Sequence, residues 1–360
     1  MSEPNAASMR SDRPRRRWVG LGSVAAAVVT TLAIWFVASQ TDFAALRAAF
    51  ASADLSEAGW FFAALAVFYL LKAWRWRLLL WPLGRFGLGD LWPSMMAGFA
   101  FNNLLPAHLG EFVRLAAFSR QTGQPSGAVL STIALERLFD VLAILGFLSY
   151  GLLAVREVDP MLRQSGLAFL TASVGLLIGA VAYVVATDWV IGLTRRLLAA
   201  LRVPRTIASK VIGLAETGAG GLAALRSPSL LIGIAALSLA QWALNGAMIW
   251  LSLRAFGVEV SPAMAAVTLA AVAFGVTVPS TPGYFGVLQG AFVLALTALP
   301  EFDSISGRVV AASVVYHVAQ WVPVTAIGLV GFRLAGMRLA DVDRAETRAS
   351  GGGQGAETNR

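Results

Sequence analysis

Along this chain, long apolar runs alternate with short polar stretches, and the runs are of two kinds. Six are long enough to cross a bilayer, which needs about 17–25 mostly apolar residues: Trp18 to Ser39, Ala58 to Trp81, Gly127 to Val155, Gly166 to Thr187, Ser229 to Leu253 and Val309 to Phe332. Two more, from about Leu91 to Phe118 and from about Pro262 to Leu299, are broken near the middle by proline and glycine. Each arm of these is too short or too polar to cross alone. The breaks line up: Phe101-Asn-Asn-Leu-Leu-Pro106-Ala-His-Leu-Gly110-Glu-Phe112 matches Phe274-Gly-Val-Thr-Val-Pro279-Ser-Thr-Pro-Gly283-Tyr-Phe285. An interrupted helix frees backbone N–H and C=O groups that lipid cannot satisfy, so each break must line a cavity. Paired breaks in corresponding positions of two halves point to a transporter's binding site. The alternative is a chance match in a chain rich in alanine and glycine. The pattern predicts an all-α fold, a polytopic membrane helical bundle with six full spans plus two inverted re-entrant hairpins.

Composition agrees. With 57% apolar and 13% charged residues and a mean hydropathy of +0.70, the chain is far from a soluble domain, which is nearer 45–50% apolar and about 25% charged. There is no cysteine, which excludes a disulfide, a thiolate metal site and a cysteine nucleophile. The net charge of +8 gathers at the edges of the apolar runs, as expected for orientation and lipid-headgroup contact rather than nucleic-acid binding. Five arginines precede Trp18, and the apolar run that follows has the length of a retained anchor rather than of a cleaved leader. If the amino terminus is cytoplasmic and only the six long runs cross, 22 of the 28 Lys and Arg fall on the inner side, counting Lys72, Arg75 and Arg77 at the inner end of the second run. The reading is a multi-pass protein of the cell (inner or plasma) membrane with both termini cytoplasmic. Its parts are a basic segment 1–17, a transmembrane domain 18–332 and a disordered polar tail 333–360. The two hairpins then dip into the membrane from opposite faces. Asp188 to Ser227 carries arginines among spaced leucines, which suggests an amphipathic helix on anionic headgroups; a solvated loop is the alternative.

Charges inside an apolar run need a reason. Glu136, Arg137 and Asp140 fall within the third long run, at about 2.5–3.5 kcal/mol for each Asp or Arg. Glu136 and Asp140 share a helix face, and Arg137 can pair with Asp140 three residues on. They form either an ion cluster that only ties helices together or a wet cavity for a charged headgroup. The first broken segment supplies matching chemistry, with His108, Glu111 and Arg114 following the Pro106 and Gly110 corner. A short helix starting there directs free N–H groups into the membrane, which favours an anion such as phosphate. Arg114 can clamp it in bidentate fashion while Glu111 holds Arg114. Asn102 and Asn103 precede the corner and can satisfy its broken backbone; Asn103 is also a candidate ligand. The second segment has no formal charge, but Pro279, Ser280, Thr281, Pro282, Gly283 and Gly286 make a corner of free backbone groups and hydroxyls, followed by Gln289. His317 reads as a hydrogen-bonded packing residue. Lys72, Arg75 and Arg77, beside Trp74 and Trp76, read as an interfacial anchor. No nucleophile elbow, zincin motif or P-loop is present in the sequence. No metal site and no cofactor are expected.

Asn103-Leu-Leu-Pro106-Ala-His-Leu-Gly110-Glu111-Phe-Val-Arg114, Glu136-Arg137-Leu-Phe-Asp140 and Pro279-Ser-Thr-Pro282-Gly283-Tyr-Phe-Gly286 resemble, in order, three hallmark segments of the lysylphosphatidylglycerol synthase transmembrane region family, also described as flippase-like domain proteins. The resemblance implies a polytopic domain that moves or presents lipid-linked molecules. It places Glu111, Arg114, Glu136, Arg137 and Asp140 in a polar cavity, with Pro106, Gly110, Pro282, Gly283 and Gly286 at the corners. His108 stands where the family often has arginine, Tyr284 where it often has glycine, and Gln289 where an acid is frequent. The expected partners are membrane lipids, a phospholipid or a polyprenyl-phosphate-linked lipid; nucleic acid is not expected, and a homo-oligomer is open. The expected function is movement of such a lipid between leaflets through a charged cavity, rather than catalysis. The rivals are a membrane transferase acting on a lipid carrier, with Glu136 or Asp140 as base, and a non-catalytic membrane partner.

Overall fold

The computed structural model describes residues 43–105, 108–155, 160–201, 203–221, 226–277, 282–298 and 307–337, with isolated positions 31, 32, 35 and 224. Segment 1–17, most of the first apolar run, the tail beyond residue 337, and the corner residues Pro106, Pro279, Ser280 and Thr281 lie outside the described residues. Among the described residues, all regular structure is helical.

A short helix, α1 (Phe43–Ala51), leads into α2 (Ser56–Leu80), α3 (Leu88–Leu104), α4 (Gly110–Thr122) and α5 (Ser126–Ala154). A connecting section follows, made of α6 (Pro160–Val185), α7 (Thr187–Ala200) and α8 (Arg205–Gly221). The first half's order then recurs as α9 (Pro228–Ala255), α10 (Pro262–Gly275), α11 (Val287–Thr297) and α12 (Gly307–Leu334). Local signals set these boundaries. Asp90 accepts from the Gly87 N–H at 2.8 Å at the start of α3, Gly123 turns left-handed to end α4, and the Ser261 hydroxyl caps α10 ahead of Pro262.

Three helices, α2, α9 and α12, are long and apolar enough to cross a membrane by length and composition. The 29 residues of α5 have the length but carry Glu136, Arg137 and Asp140. The predicted runs from Ala58, Gly127, Gly166, Ser229 and Val309 each coincide with one long helix. Both broken segments are helix, break, helix, with arms of 17 and 13 residues in the first and 14 and 11 in the second. Three fall below the about 17–25 residues of a full span, and α3, interrupted by Pro93, sits at its lower limit. Outward faces are apolar: Trp60, Ile232 and Leu294 are 70%, 68% and 60% exposed. Within the Asp188 to Ser227 stretch, α7 and α8 are helical and are joined by Arg195 and Glu216.

Contacts tie the two halves together reciprocally. Arg254 at the end of α9 pairs with Glu57 at the start of α2 at 3.0 Å, while Arg75, late in α2, donates to Ser238, early in α9, at 3.0 Å. The first helices of the two halves therefore run antiparallel. The hairpin arm α3 lies against α12 of the other half, and α10 lies against α5. A Cβ at Gly328 or Gly331 of α12 would strike the backbone of Met96 or Pro93, and one at Gly151 of α5 would strike Ala263 and Val267. Such small-residue crossings hold helices together where lipid leaves no hydrophobic drive between them.

Candidate functional site

The arms of the first hairpin cross at backbone distance. A Cβ at Gly110 would collide with the Gly98 carbonyl and with Asn102, and one at Gly98 would meet the Arg114 side chain. This crossing seats the first turns of α4, with Glu111 and Arg114, against α5. Arg114 grips Glu136 through both terminal nitrogens, at 2.8 and 3.3 Å, and its guanidinium lies 3.7 Å from the centre of the Trp76 ring. Arg137 bonds Glu111 and also Asp140, the latter at 3.4 Å. Asp140 accepts further bonds from Gln241 at 3.0 Å and from Trp242 Nε1 at 2.8 Å. The local pairings expected from spacing, Arg137 with Asp140 and Arg114 beside Glu111, are both present.

Arg75 completes the network, 2.7 Å from Asp140 and 3.3 Å from Glu136. It is fully buried, so its reading as an interfacial anchor is corrected. The physical reason is the rotation of α2: Phe61, Leu65, Phe68, Lys72, Arg75 and Leu79 form one inward stripe, while Trp74 faces out. Lys72 is buried too. Its ammonium lies 5.0 and 5.4 Å from the Phe68 and Phe99 ring centres, with no hydrogen-bond or ion-pair partner among the described residues. Three guanidinium groups face three carboxylates, and Lys72 leaves the cluster one positive charge in surplus. Burying a charge is costly unless it is paired and hydrogen-bonded, a condition the three arginines meet and Lys72 meets only through the two ring faces. Arg75, Arg114, Glu136 and Asp140 are out of reach of solvent, whereas the side chains of Glu111 and Arg137 are 15% and 42% exposed. Arg137 is thus the accessible cation of the cluster.

The corners of the two hairpins meet. His108 and Tyr284 both adopt φ 57, uncommon for residues other than glycine, and their ring centres lie 5.5 Å apart. Gly283 and Gly286 take φ 82. With His108 matched to Tyr284 by their shared φ, the backbone sets Gly110 opposite Gly286; the sequence alignment sets it opposite Gly283. Gln289 closes the second corner by accepting from the Gly286 N–H at 2.8 Å, and its Nε2 lies 3.0 Å from His317 Nδ1. His317 also stacks on Phe285, the packing role expected of it. Among the described residues, Asn102 and Asn103 serve side chains rather than the broken backbone, bonding Glu111 at 3.4 Å and Thr325 at 2.9 Å.

Beside this junction lies a cavity of about 180 Å³ between α2, α3, α9, α10, α11 and α12. Tyr69, Trp242, Tyr284, Tyr316 and Trp321 form its aromatic walls, with the amides of Asn103, Asn245 and Gln320 between them. Its described lining contains no Asp, Glu, Lys or Arg. The expected charged cavity is therefore two adjoining features, a self-paired ion network and a neutral chamber. Trp242 belongs to both, since it lines the chamber and donates to Asp140. Tyr284 is the second link, because it lines the chamber and feels the charges of Arg137 and Glu111. Of the residues expected to touch a ligand, Asn103 lines this chamber, and His108 stacks on its rim residue Tyr284. Among the described residues, no group of three or more His, Asp or Glu is placed to hold a metal ion.

No curated protein matches the chain. The sequence profile of the family described as "Lysylphosphatidylglycerol synthase TM region" matches residues 23–328, a stretch that spans both hairpins, the ion network and the chamber. The chain belongs to the lysylphosphatidylglycerol synthase TM region family of membrane proteins.

Proposed function

We propose that this protein translocates an amphiphilic lipid, a phospholipid or a polyprenyl-phosphate-linked lipid, between the leaflets of the cell membrane. In this reading six segments span the bilayer, the two hairpins enter it from opposite faces, and both termini are cytoplasmic. The observation that carries it is the meeting of His108 and Tyr284, where two broken helices abut between a buried ion network and a chamber. Interrupted helices at such a depth are tolerated where they line a cavity. The surplus positive charge of Lys72 and the 42% exposure of Arg137 suit a phosphate passing at the edge of the cluster. Arg114 holds Glu136 with both terminal nitrogens, so its part is to position Glu136 and, through Glu111, Arg137. Glu111, Glu136 and Asp140 keep the cations in place, and the glycine and proline corners flank the passage.

The test uses the purified full chain in liposomes of phosphatidylethanolamine and phosphatidylglycerol doped with fluorescent lipid, with dithionite quenching reporting leaflet exchange. The native chain accelerates exchange several-fold over empty liposomes, and Arg137→Ala lowers the gain at least fivefold while keeping a folded elution profile. Absence of any exchange across anionic and zwitterionic lipids would overturn the reading. Transfer of a sugar from a nucleotide or lipid donor in the same liposomes would replace it with the transferase.

A further inference from the structure

The chamber has chemistry of its own that the ion network does not explain. Two of its hydrogen-bond donors, Tyr284 Oη and Trp321 Nε1, are buried and have no partner among the described residues. An orphan buried donor costs folding free energy, so its persistence calls for a ligand. Three amides add to the set, and each spends one end on the protein: Asn103 on Thr325 at 2.9 Å, Asn245 on the Tyr316 hydroxyl at 2.7 Å, and Gln320 on the Tyr316 carbonyl at 3.3 Å. Among the described residues, the other end of each is left for the chamber. Whichever way an amide is turned, it offers a donor or an acceptor.

Three classes of headgroup can be weighed against this lining. A phosphate only accepts hydrogen bonds, and the described lining has no cation to balance its charge. An ammonium only donates, and the indole N–H of Trp321 cannot accept from it. Hydroxyl groups both donate and accept, carry no charge, and project from C–H faces that lie flat on aromatic rings such as Trp242 and Tyr69. We infer that the chamber binds the neutral, polyhydroxylated part of the transported lipid, a sugar or polyol, while its phosphate stays with Arg137. This deepens the translocation proposal and rests on it for the identity of the ligand as a lipid.

Three fluorescent lipids with the same acyl chains separate the chemistry: phosphatidic acid, with phosphate and no hydroxyls; monoglucosyl diacylglycerol, with hydroxyls and no phosphate; and phosphatidylinositol, with both. Exchange in liposomes holding the full chain is expected to be at least tenfold faster for phosphatidylinositol than for phosphatidic acid, with the glucolipid between them. Tyr284→Phe and Trp321→Phe each remove a donor that has no partner among the described residues, so Tyr284→Phe should not lower thermal stability and Trp321→Phe should do so only by the lost packing of its larger ring on Phe285. Each is expected to cut the phosphatidylinositol to phosphatidic acid ratio at least fivefold. Equal rates for the two lipids, or an unchanged ratio in both variants, overturns the inference and leaves translocation standing. If nothing is moved, translocation fails alone, and native mass spectrometry of the detergent-purified chain with the same three lipids decides the chamber. Preferential retention of the two hydroxylated lipids, lost in Tyr284→Phe, upholds it; equal retention sinks it.

Discussion

The two hairpins share a backbone plan and differ in almost everything attached to it. Both are a short helix, a break and a shorter helix, and both turn at a bulky residue held at φ 57. Around the first break sit Glu111 and Arg114, tied into six buried or half-buried charges. The second has no Asp, Glu, Lys or Arg between Pro262 and Pro300 and is closed by a neutral relay from Gly286 through Gln289 to His317. The breaks are therefore architecture, and charge is a separable addition to one of them. Even the glycines serve different ends. Gly110 is small because another backbone touches it; Gly286 is glycine because its φ of 82 strains any L side chain.

Removing Arg75 should break the comparison most severely. Asp140 and Glu136 would then share a buried pocket with one cation fewer, and deleting one partner of a buried ion pair costs about 3–5 kcal/mol. Arg75→Met is expected to lower the thermal unfolding midpoint of the detergent-purified chain sharply, and Arg75→Met with Asp140→Asn to recover part of the loss. Coupling below about 0.5 kcal/mol between those two sites would show that the network does not act as a unit. The matched glycine pair comes next. Gly110→Ala forces a methyl into the Gly98 carbonyl and Asn102, an overpacking of about 1–3 kcal/mol or more, whereas Gly286→Ala places an L side chain on a strained backbone at φ 82 and ψ −50, a cost of about 1–3 kcal/mol. Unfolding midpoints ordered the other way would reverse the roles assigned to the two glycines.

How far the sequence reveals this depends on whether an interaction is local. Long apolar runs fix the long helices, and Pro/Gly breaks fix the hairpins, because helix propensity and span length act within a segment. Pairs three or four apart on one helix, such as Arg137 with Asp140, are equally legible. Arg75 is not: Lys72-Ala-Trp74-Arg75-Trp76 at the end of an apolar run has the composition of an interfacial anchor. One signal was available, since Phe61, Leu65, Phe68, Lys72, Arg75 and Leu79 keep a single helical stripe, which places the two cations on the core face and Trp74 opposite. The chamber is beyond such reading, because six helices distant in sequence each contribute to its wall.

Smaller effects sharpen the contrast. Gln289→Ala removes the acceptor for the Gly286 N–H and the partner of His317, and should cost about 1 kcal/mol, in line with lost helix caps elsewhere. That is well below the loss at Arg75, as expected if the second corner needs no charge to hold it. Unfolding midpoints of the two variants side by side make the measurement, and a Gln289→Ala loss equal to that of Arg75→Met would deny the asymmetry.

The smallest stability effect is expected where a cation looks most exposed to cost. Lys72 is buried between Phe68 and Phe99 with no hydrogen-bond partner among the described residues, so Lys72→Met replaces an ammonium held only by two ring faces by an apolar chain of similar length that the same two rings can pack. Folding should be unchanged or slightly improved, in contrast to all three arginines, whose carboxylate partners would be stranded. The same change takes away the one positive charge that the carboxylates do not balance, and makes the first hairpin's surroundings as neutral in total as the second's. If that surplus draws phosphate to the edge of the cluster, Lys72→Met should keep its unfolding midpoint and lose several-fold in exchange of anionic lipid, with little change for the uncharged glucolipid. A variant that is less stable yet moves anionic lipid at the native rate would show instead that Lys72 only braces the network.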